Sequence, residues 1–140
     1  RQSVAARAAT RWPAHDTVTR QQARQHVAAL RAIGVEVLDD APGAHGTWPV
    51  LLARLPNAQA RDAVLRALWG EGIGIGVPFV RALPDYPGLG ISADVPVARD
   101  FAARVLQVSN SPWLDPDAFL RIVTCIEETI RTTAPATARG

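Results

Sequence analysis

Four glycines at alternate positions, Gly70, Gly72, Gly74 and Gly76, come nearest in this chain to a phosphate-binding loop. A dinucleotide fingerprint needs G-x-G-x-x-G leading out of a strand into a helix, so that the helix N-terminus meets the anion. Here the spacing differs and the order is reversed, because a helical stretch precedes the glycines and an apolar β-type stretch follows them. They predict a helix stop and then a strand that another backbone approaches closely. His15, His26 and His45 have neither i,i+4 spacing nor a neighbouring cysteine pair, which argues against zinc; His26 falls on a helix as a surface or boundary residue. Cys125, set between Ile122 and Ile126, reads as a small packed hydrophobe with nothing nearby to lower its pKa. Asp39-Asp40 and Glu127-Glu128 are adjacent in sequence, which does not bring two carboxylates to one reacting bond, so structural or solvent-facing roles are expected. The 15 basic residues are all arginine. Without lysine there is no side-chain amine to form a Schiff base.

One stretch is chemically richer. Phe79, Arg81, Asp85 and Tyr86 fall just beyond a predicted strand end, where α/β layers commonly meet ligands. An arginine there suits a phosphate or carboxylate. These four are the candidate substrate-facing residues; no catalytic, cofactor-binding or metal-binding residue is assigned.

The elements that must position them follow from periodicity. Residues 1–11 have helical composition, and Trp12-Pro13 is expected to interrupt it. Thr19 and Gln22 have capping-box spacing, and Ala23, Val27, Leu30 and Ile33 then recur on one helical face until Gly34. Val35–Leu38 reads as a strand, and Trp48–Leu55 as a second with Pro49 at its start or on an edge. Asn57 caps a helix whose apolar side carries Ala60, Val64, Leu65 and Leu68. Ile73–Phe79 is the third expected strand, 80–93 a loop, and Asp94 the expected cap of a short helix ending at Arg104. Val105–Val108 is the fourth strand. Asp115-Pro116 then starts the most amphipathic helix, with Phe119, Ile122, Val123, Ile126 and Ile130 on its apolar face. Burying each would contribute about 1.5–3 kcal/mol before entropy is counted. Strands interleaved with one-sided helices define an α/β two-layer sandwich: a small, mostly antiparallel sheet of three to four strands with helices packed on one face. Residues 1–16 are expected to be an N-terminal extension, 17–131 the domain, and 132–140 a loose tail.

At 140 residues, 48% apolar and with a net charge of +2, the chain has the composition of one globular domain. Its arginines are scattered among carboxylates and not gathered with aromatics, which argues against a nucleic-acid groove. No apolar run approaches the roughly 20 residues of a membrane span, and a signal-peptide core is lacking. The single cysteine fits a reducing compartment, so a cytoplasmic location is expected. The chain begins at Arg1 and contains no methionine, which suggests a processed or excised piece.

The order of segments is also informative. Trp48-Pro49-Val50-Leu51-Leu52-Ala53-Arg54-Leu55 is followed by Arg61-Asp62-Ala63-Val64-Leu65, then Gly72-Ile73-Gly74-Ile75-Gly76-Val77-Pro78-Phe79, Tyr86-Pro87, and Ser109-Asn110-Ser111-Pro112-Trp113-Leu114-Asp115. Over residues 20–131 this series resembles the C-terminal small domain of the DegT/StrS-type aminotransferases, pyridoxal-phosphate enzymes that aminate nucleotide-linked keto-sugars. The resemblance implies that the cofactor, the Schiff-base lysine and the acidic partner of the pyridine nitrogen belong to a larger N-terminal domain, with none of them in this chain. It implies a partner too: that cofactor domain or a partner subunit, in a complete enzyme that is a dimer. Family members often read Gly-Ile-Gly-Thr-Gly, a hydrophobe, His and an aromatic, with a second His soon after. Ile75 stands here for the threonine, Pro78 for the first histidine and Leu83 near the second, and only Phe79 matches. A fragment or split part of such an enzyme, not catalytic alone, is therefore one expectation. The alternative is a stand-alone, non-catalytic module binding a ligand or partner through the 80–93 loop.

Overall fold

The computed structural model describes residues 4–133. Helix α1 (Val4–Ala32) leads to the short strand β1 (Glu36–Val37), then β2 (Val50–Arg54) and helix α2 (Ala58–Gly70). Strand β3 (Ile75–Gly76) is followed by a 3-10 turn at Leu83–Asp85, helix α3 (Pro96–Arg104), strand β4 (Val105–Ser109) and helix α4 (Pro116–Thr133). The strands form one antiparallel sheet in the order β1-β2-β4-β3. The fold is the α/β two-layer sandwich that the periodicity requires.

Alternation along the two central strands separates the faces. Leu51 and Ala53 on β2 lie opposite Val108 and Leu106 on β4, and all four are buried. Val50, Leu52, Arg54, Gln107 and Ser109 alternate with them and are only half-buried, as a period of two dictates. The core is closed by Ala23, Val27 and Leu30 of α1, Val64 and Leu68 of α2, and Phe119, Ile122, Cys125 and Ile126 of α4. Val123 and Ile130 pack at its margin. On the half-buried side, Arg54 and Glu36 pair across neighbouring strands, with the Arg54 Nε 2.9 Å from the carboxylate.

Glycine ends two helices by the same device. Gly34 has φ +80°, its N–H donates to Arg31 O, and the Val35 N–H reaches back to Leu30 O at 3.1 Å. Gly72 has φ +74°, with its N–H on Trp69 O and the Ile73 N–H on Leu68 O. Each is a paired closure that satisfies orphan carbonyls and requires a left-handed residue. The close backbone approach expected around the later glycines is not found. A Cβ on Gly74 would meet open space, and one on Gly76 would make ordinary contact with Gln107.

The N-terminal half differs from its sequence reading. Pro13 does not interrupt α1, so residues 4–16 continue directly into the helix that carries the core-facing residues. A proline removes one backbone donor, at a cost of about 3 kcal/mol inside a helix, and the alanine- and arginine-rich turns on both sides continue regardless. Thr17 Oγ1 donates to the Pro13 carbonyl at 3.0 Å. The capping box does not form either, because Thr19 is already mid-helix and its hydroxyl donates to His15 O. Gln22 instead donates to Ser111 O, tying α1 to the β4–α4 connection.

Several boundaries shift, with β1 and β2 each shorter than expected. The third strand is only Ile75–Gly76: Pro78 has no N–H to donate, and the chain leaves the ladder before it. Asp94 does not cap α3, whose N-cap is Val95; its carboxylate contacts Arg99 at 3.3 Å. Thr132 and Thr133 are the last turn of α4, and the remainder of the expected tail lies outside the described residues. Asn57 does cap α2, accepting from Ala60 N at 2.8 Å, and Asp115 Oδ1 accepts from Asp117 N at the start of α4. No helix among the described residues is long and apolar enough to cross a membrane.

His26, on α1, stacks on Phe119 of α4 with ring centroids 3.6 Å apart and planes 15° apart. Burial lowers its pKa from 6.5, and the nearby Asn110 side chain opposes this with a smaller effect. Neither His26 Nδ1 nor Asn110 Oδ1 completes a hydrogen bond of good geometry. A histidine favoured neutral in the folded state stabilises fully above its unfolded pKa. That contribution is lost as pH falls through 6.5 toward the lower folded value. Urea unfolding should therefore show stability declining as pH falls below 6.5, and His26→Gln should flatten the decline. A profile unchanged by the substitution would assign it to other groups.

Candidate functional site

The segment after β3 owes its shape to the proline and glycine that end the ladder. Beyond Pro78, the chain turns through Leu83-Pro84-Asp85, where the Asp85 and Tyr86 N–H groups bond back to Ala82 O and Leu83 O. Ala82 is buried and anchors the turn. Three of the four candidate residues meet there. The Arg81 guanidinium lies 5.5 Å from the centre of the Tyr86 ring, in cation–π range, and its Nη1 is 3.4 Å from Asp85 O. Phe79 diverges from them and packs at a tilt against Phe101 of α3, with ring centroids 5.9 Å apart.

Arg99 organises the turn. Its Nε and Nη2 grip the Asp85 carboxylate at 2.9–3.0 Å, while its other donors reach Asp94 and Ala93 O. That fork straps the 83–85 turn to the start of α3. It holds the Asp85 carboxyl below the usual carboxylate range and raises the Arg99 guanidinium. Asp85 is consequently a positioning group, ionised and fully engaged, and not a proton acceptor waiting for substrate. Arg81 and the Tyr86 ring remain exposed. The arrangement leaves a guanidinium and an aromatic ring face at the surface; it does not assemble a nucleophile with a base.

Sequence reasoning missed Arg99 and Phe101. They lie on an element that follows the loop, fourteen residues from Asp85 in the case of Arg99, and no local spacing announces such a pairing. Beside them runs an open groove of about 540 Å3 lined by Arg54, Asp94, Val95, Pro96, Val97 and Phe101.

The other sequence candidates have structural roles. Cys125 is buried in the core, and desolvation pushes its thiol up, away from reactivity. Asp39 pairs with Arg31, and Asp40 accepts from Gly46 N and Trp48 Nε1. Glu128 lies 4.0 Å from Arg121, which forks onto Glu71 and ties α4 to the end of α2. Among the described residues, no three His, Cys, Asp or Glu side chains gather as metal ligands. No protein-family model matches the chain, and no curated protein matches it either.

Proposed function

We propose that this chain is the small C-terminal domain of a pyridoxal-phosphate-dependent aminotransferase-like protein of the DegT/StrS type, as a fragment or split part that is not catalytic alone. The observation that carries the reading is α1. It has 29 residues, about 43 Å at 1.5 Å per residue. Residues 4–15 are exposed throughout, and core contacts begin only at Thr19. A helix whose first twelve residues are bare, carrying Val4 and Trp12 into solvent, suits a strut shared with a second body. Val80, Leu83, Leu89, Ile91 and Val97 add exposed apolar surface on the segment after β3 and the start of α3. The order of sequence motifs supplies the family.

Pyridoxal phosphate does not fit the residues of this chain. There is no lysine to condense with its aldehyde, and Asp85 is committed to Arg99 and is not free to face a pyridine nitrogen. These residues therefore carry no step of the cofactor's chemistry. In the complete protein the N-terminal domain, or a partner subunit of the dimer, would hold it. Amino transfer from an amino acid to a keto-sugar would take place there, with Phe79, Arg81 and Tyr86 at the substrate-facing margin.

A second reading has its own support. The exposed Arg81–Tyr86 pair suits a stand-alone module that binds an acidic ligand or partner without catalysis.

The experiment is to mix the purified chain with pyridoxal phosphate, reduce with borohydride and search by mass spectrometry for a side-chain adduct, then assay transamination with and without the polypeptide encoded immediately upstream. The expected result is no side-chain adduct, no turnover alone, and turnover once a lysine-bearing upstream domain is supplied. An upstream stop codon, with no such domain encoded there, would sink the first reading and leave the second.

A further inference from the structure

We propose a second binding site, independent of the reading above, in the cavity between α1 and the loop joining β1 to β2; its ligand is a small organic anion with a flat apolar body. The cavity has a volume of about 520 Å3, within the usual range for small-molecule sites. It lies at the β1 edge of the sheet, whereas the Arg81–Tyr86 segment follows β3 at the opposite edge.

One face of α1 supplies the polar wall. Arg20, Arg24 and Arg31 are four and seven residues apart, which places them along one side of the helix above Val27 and Ala28. Two of the three are already positioned. Arg20 Nε donates to Asp16 at 2.8 Å, with its Nη1 3.4 Å from His45 Nδ1. Arg31 Nη2 donates to Asp39 at 2.7 Å. Arg24 has no hydrogen-bond or ion-pair partner among the described residues.

Three of the four carboxylate oxygens in the wall are engaged, and Asp40 Oδ1 is the exception. Asp39 holds Arg31 and the Asp40 N–H, and Asp40 Oδ2 accepts from Gly46 N and from the Trp48 indole. What remains unsatisfied is a set of guanidinium donors with Arg24 at its centre. Spare guanidinium donors beside mostly occupied acceptors favour an acceptor-rich ligand, and a guanidinium fork matches a carboxylate or phosphate.

Trp48 supplies the flat wall. It is the one described non-glycine residue with positive φ, at 52°. Its indole is fastened to Asp40 and its carbonyl to Asn110. Strained residues held by their surroundings cluster at ligand clamps. An indole fixed in this way, sharing the cavity lining with Val27 and Ala28, fits an aromatic or similarly planar body whose anionic head reaches Arg24.

The test is a titration of the full chain followed by 1H–15N NMR, with Trp48→Phe assigning the indole signal. The probes are phenyl phosphate and benzoate, with phenol and benzylammonium as neutral and cationic controls. Saturable shifts of the Trp48 indole N–H and Arg24 Nε–H with an anionic probe are expected, and the tighter probe identifies the head group. Arg24→Ala should weaken binding about tenfold or more, the loss typical of a charge-assisted hydrogen bond, and Arg66→Ala, on the exposed side of α2, should not. Should alanine disturb the fold, Arg24→Gln reads the same loss. No saturable shift, benzylammonium or phenol binding as tightly as the anions, or an equal loss from Arg66→Ala would overturn the proposal.

Discussion

Leu106→Ala will lower the free energy of unfolding by about 3–4 kcal/mol, in the upper part of the range for buried leucine truncations. Leu106 is fully buried on β4, which has β2 on one side and β3 on the other. Its partner across the β2–β4 ladder is Ala53, the smallest residue in that row, so the leucine fills the space for both. A central strand hydrogen-bonded on both sides has little freedom to collapse into a void, and cost rises with the cavity left behind. Urea denaturation with an unchanged m-value would measure the loss directly. A loss below about 1 kcal/mol would mean that the core is not packed as described.

Asn110→Leu is expected to cost about 2–3 kcal/mol although it adds apolar volume, because two carbonyls lose their donor. Asn110 is completely buried at the end of β4. Its Nδ2 donates to Thr19 O on α1 at 3.0 Å and to Trp48 O before β2 at 2.8 Å, and its backbone N–H reaches Pro49 O. One amide thus staples the long helix to two strands. Leucine keeps the approximate size, removes both donors and leaves Trp48 O without the bond that helps hold its left-handed backbone. Asn110→Asp provides the control: it keeps the shape but buries a carboxylate facing two carbonyls, and should be worse than leucine. Equilibrium unfolding that ranks aspartate above leucine would refute the staple.

The two substitutions probe different levels of the molecule, and the contrast extends to what is legible in the sequence. Leu106 belongs to an alternating row visible in Val105-Leu106-Gln107-Val108. The face of α4 is equally plain, since Phe119, Ile122 and Ile126 recur at helical spacing and are buried. Asn57, Gly34 and Asp115-Pro116 also announce their elements, because capping chemistry is settled within a few residues. The Asn110 staple joins residues 91 and 62 positions apart, and such a contact has no local signature.

The same limit explains where local spacing misleads. Thr19 and Gln22 have the spacing of a cap, but whether a helix starts there depends on whether the preceding turns are helical too. Pro13 weakens those turns without ending them. The third strand is shorter than its β composition over Ile73–Phe79 suggests, because pairing needs a donor that Pro78 lacks. Of the candidate site, the type and neighbourhood of Arg81, Asp85 and Tyr86 are readable. Their pairings are not: Asp85 is paired with Arg99 on a later helix, and Phe79 turns to Phe101.

By itself, then, the sequence determined the class of fold, which side of each major element is buried, the places where α2 and α4 begin, and the absence of a side-chain amine. All of these depend on residue type and short-range period. Tertiary structure alone decided that α1 runs unbroken past the domain, that Arg99 straps the 83–85 turn, and that Arg20, Arg24 and Arg31 face Trp48 across a cavity. Those features arise where segments distant in the chain come within a few ångströms, and the energy of such contacts is carried by the packed whole.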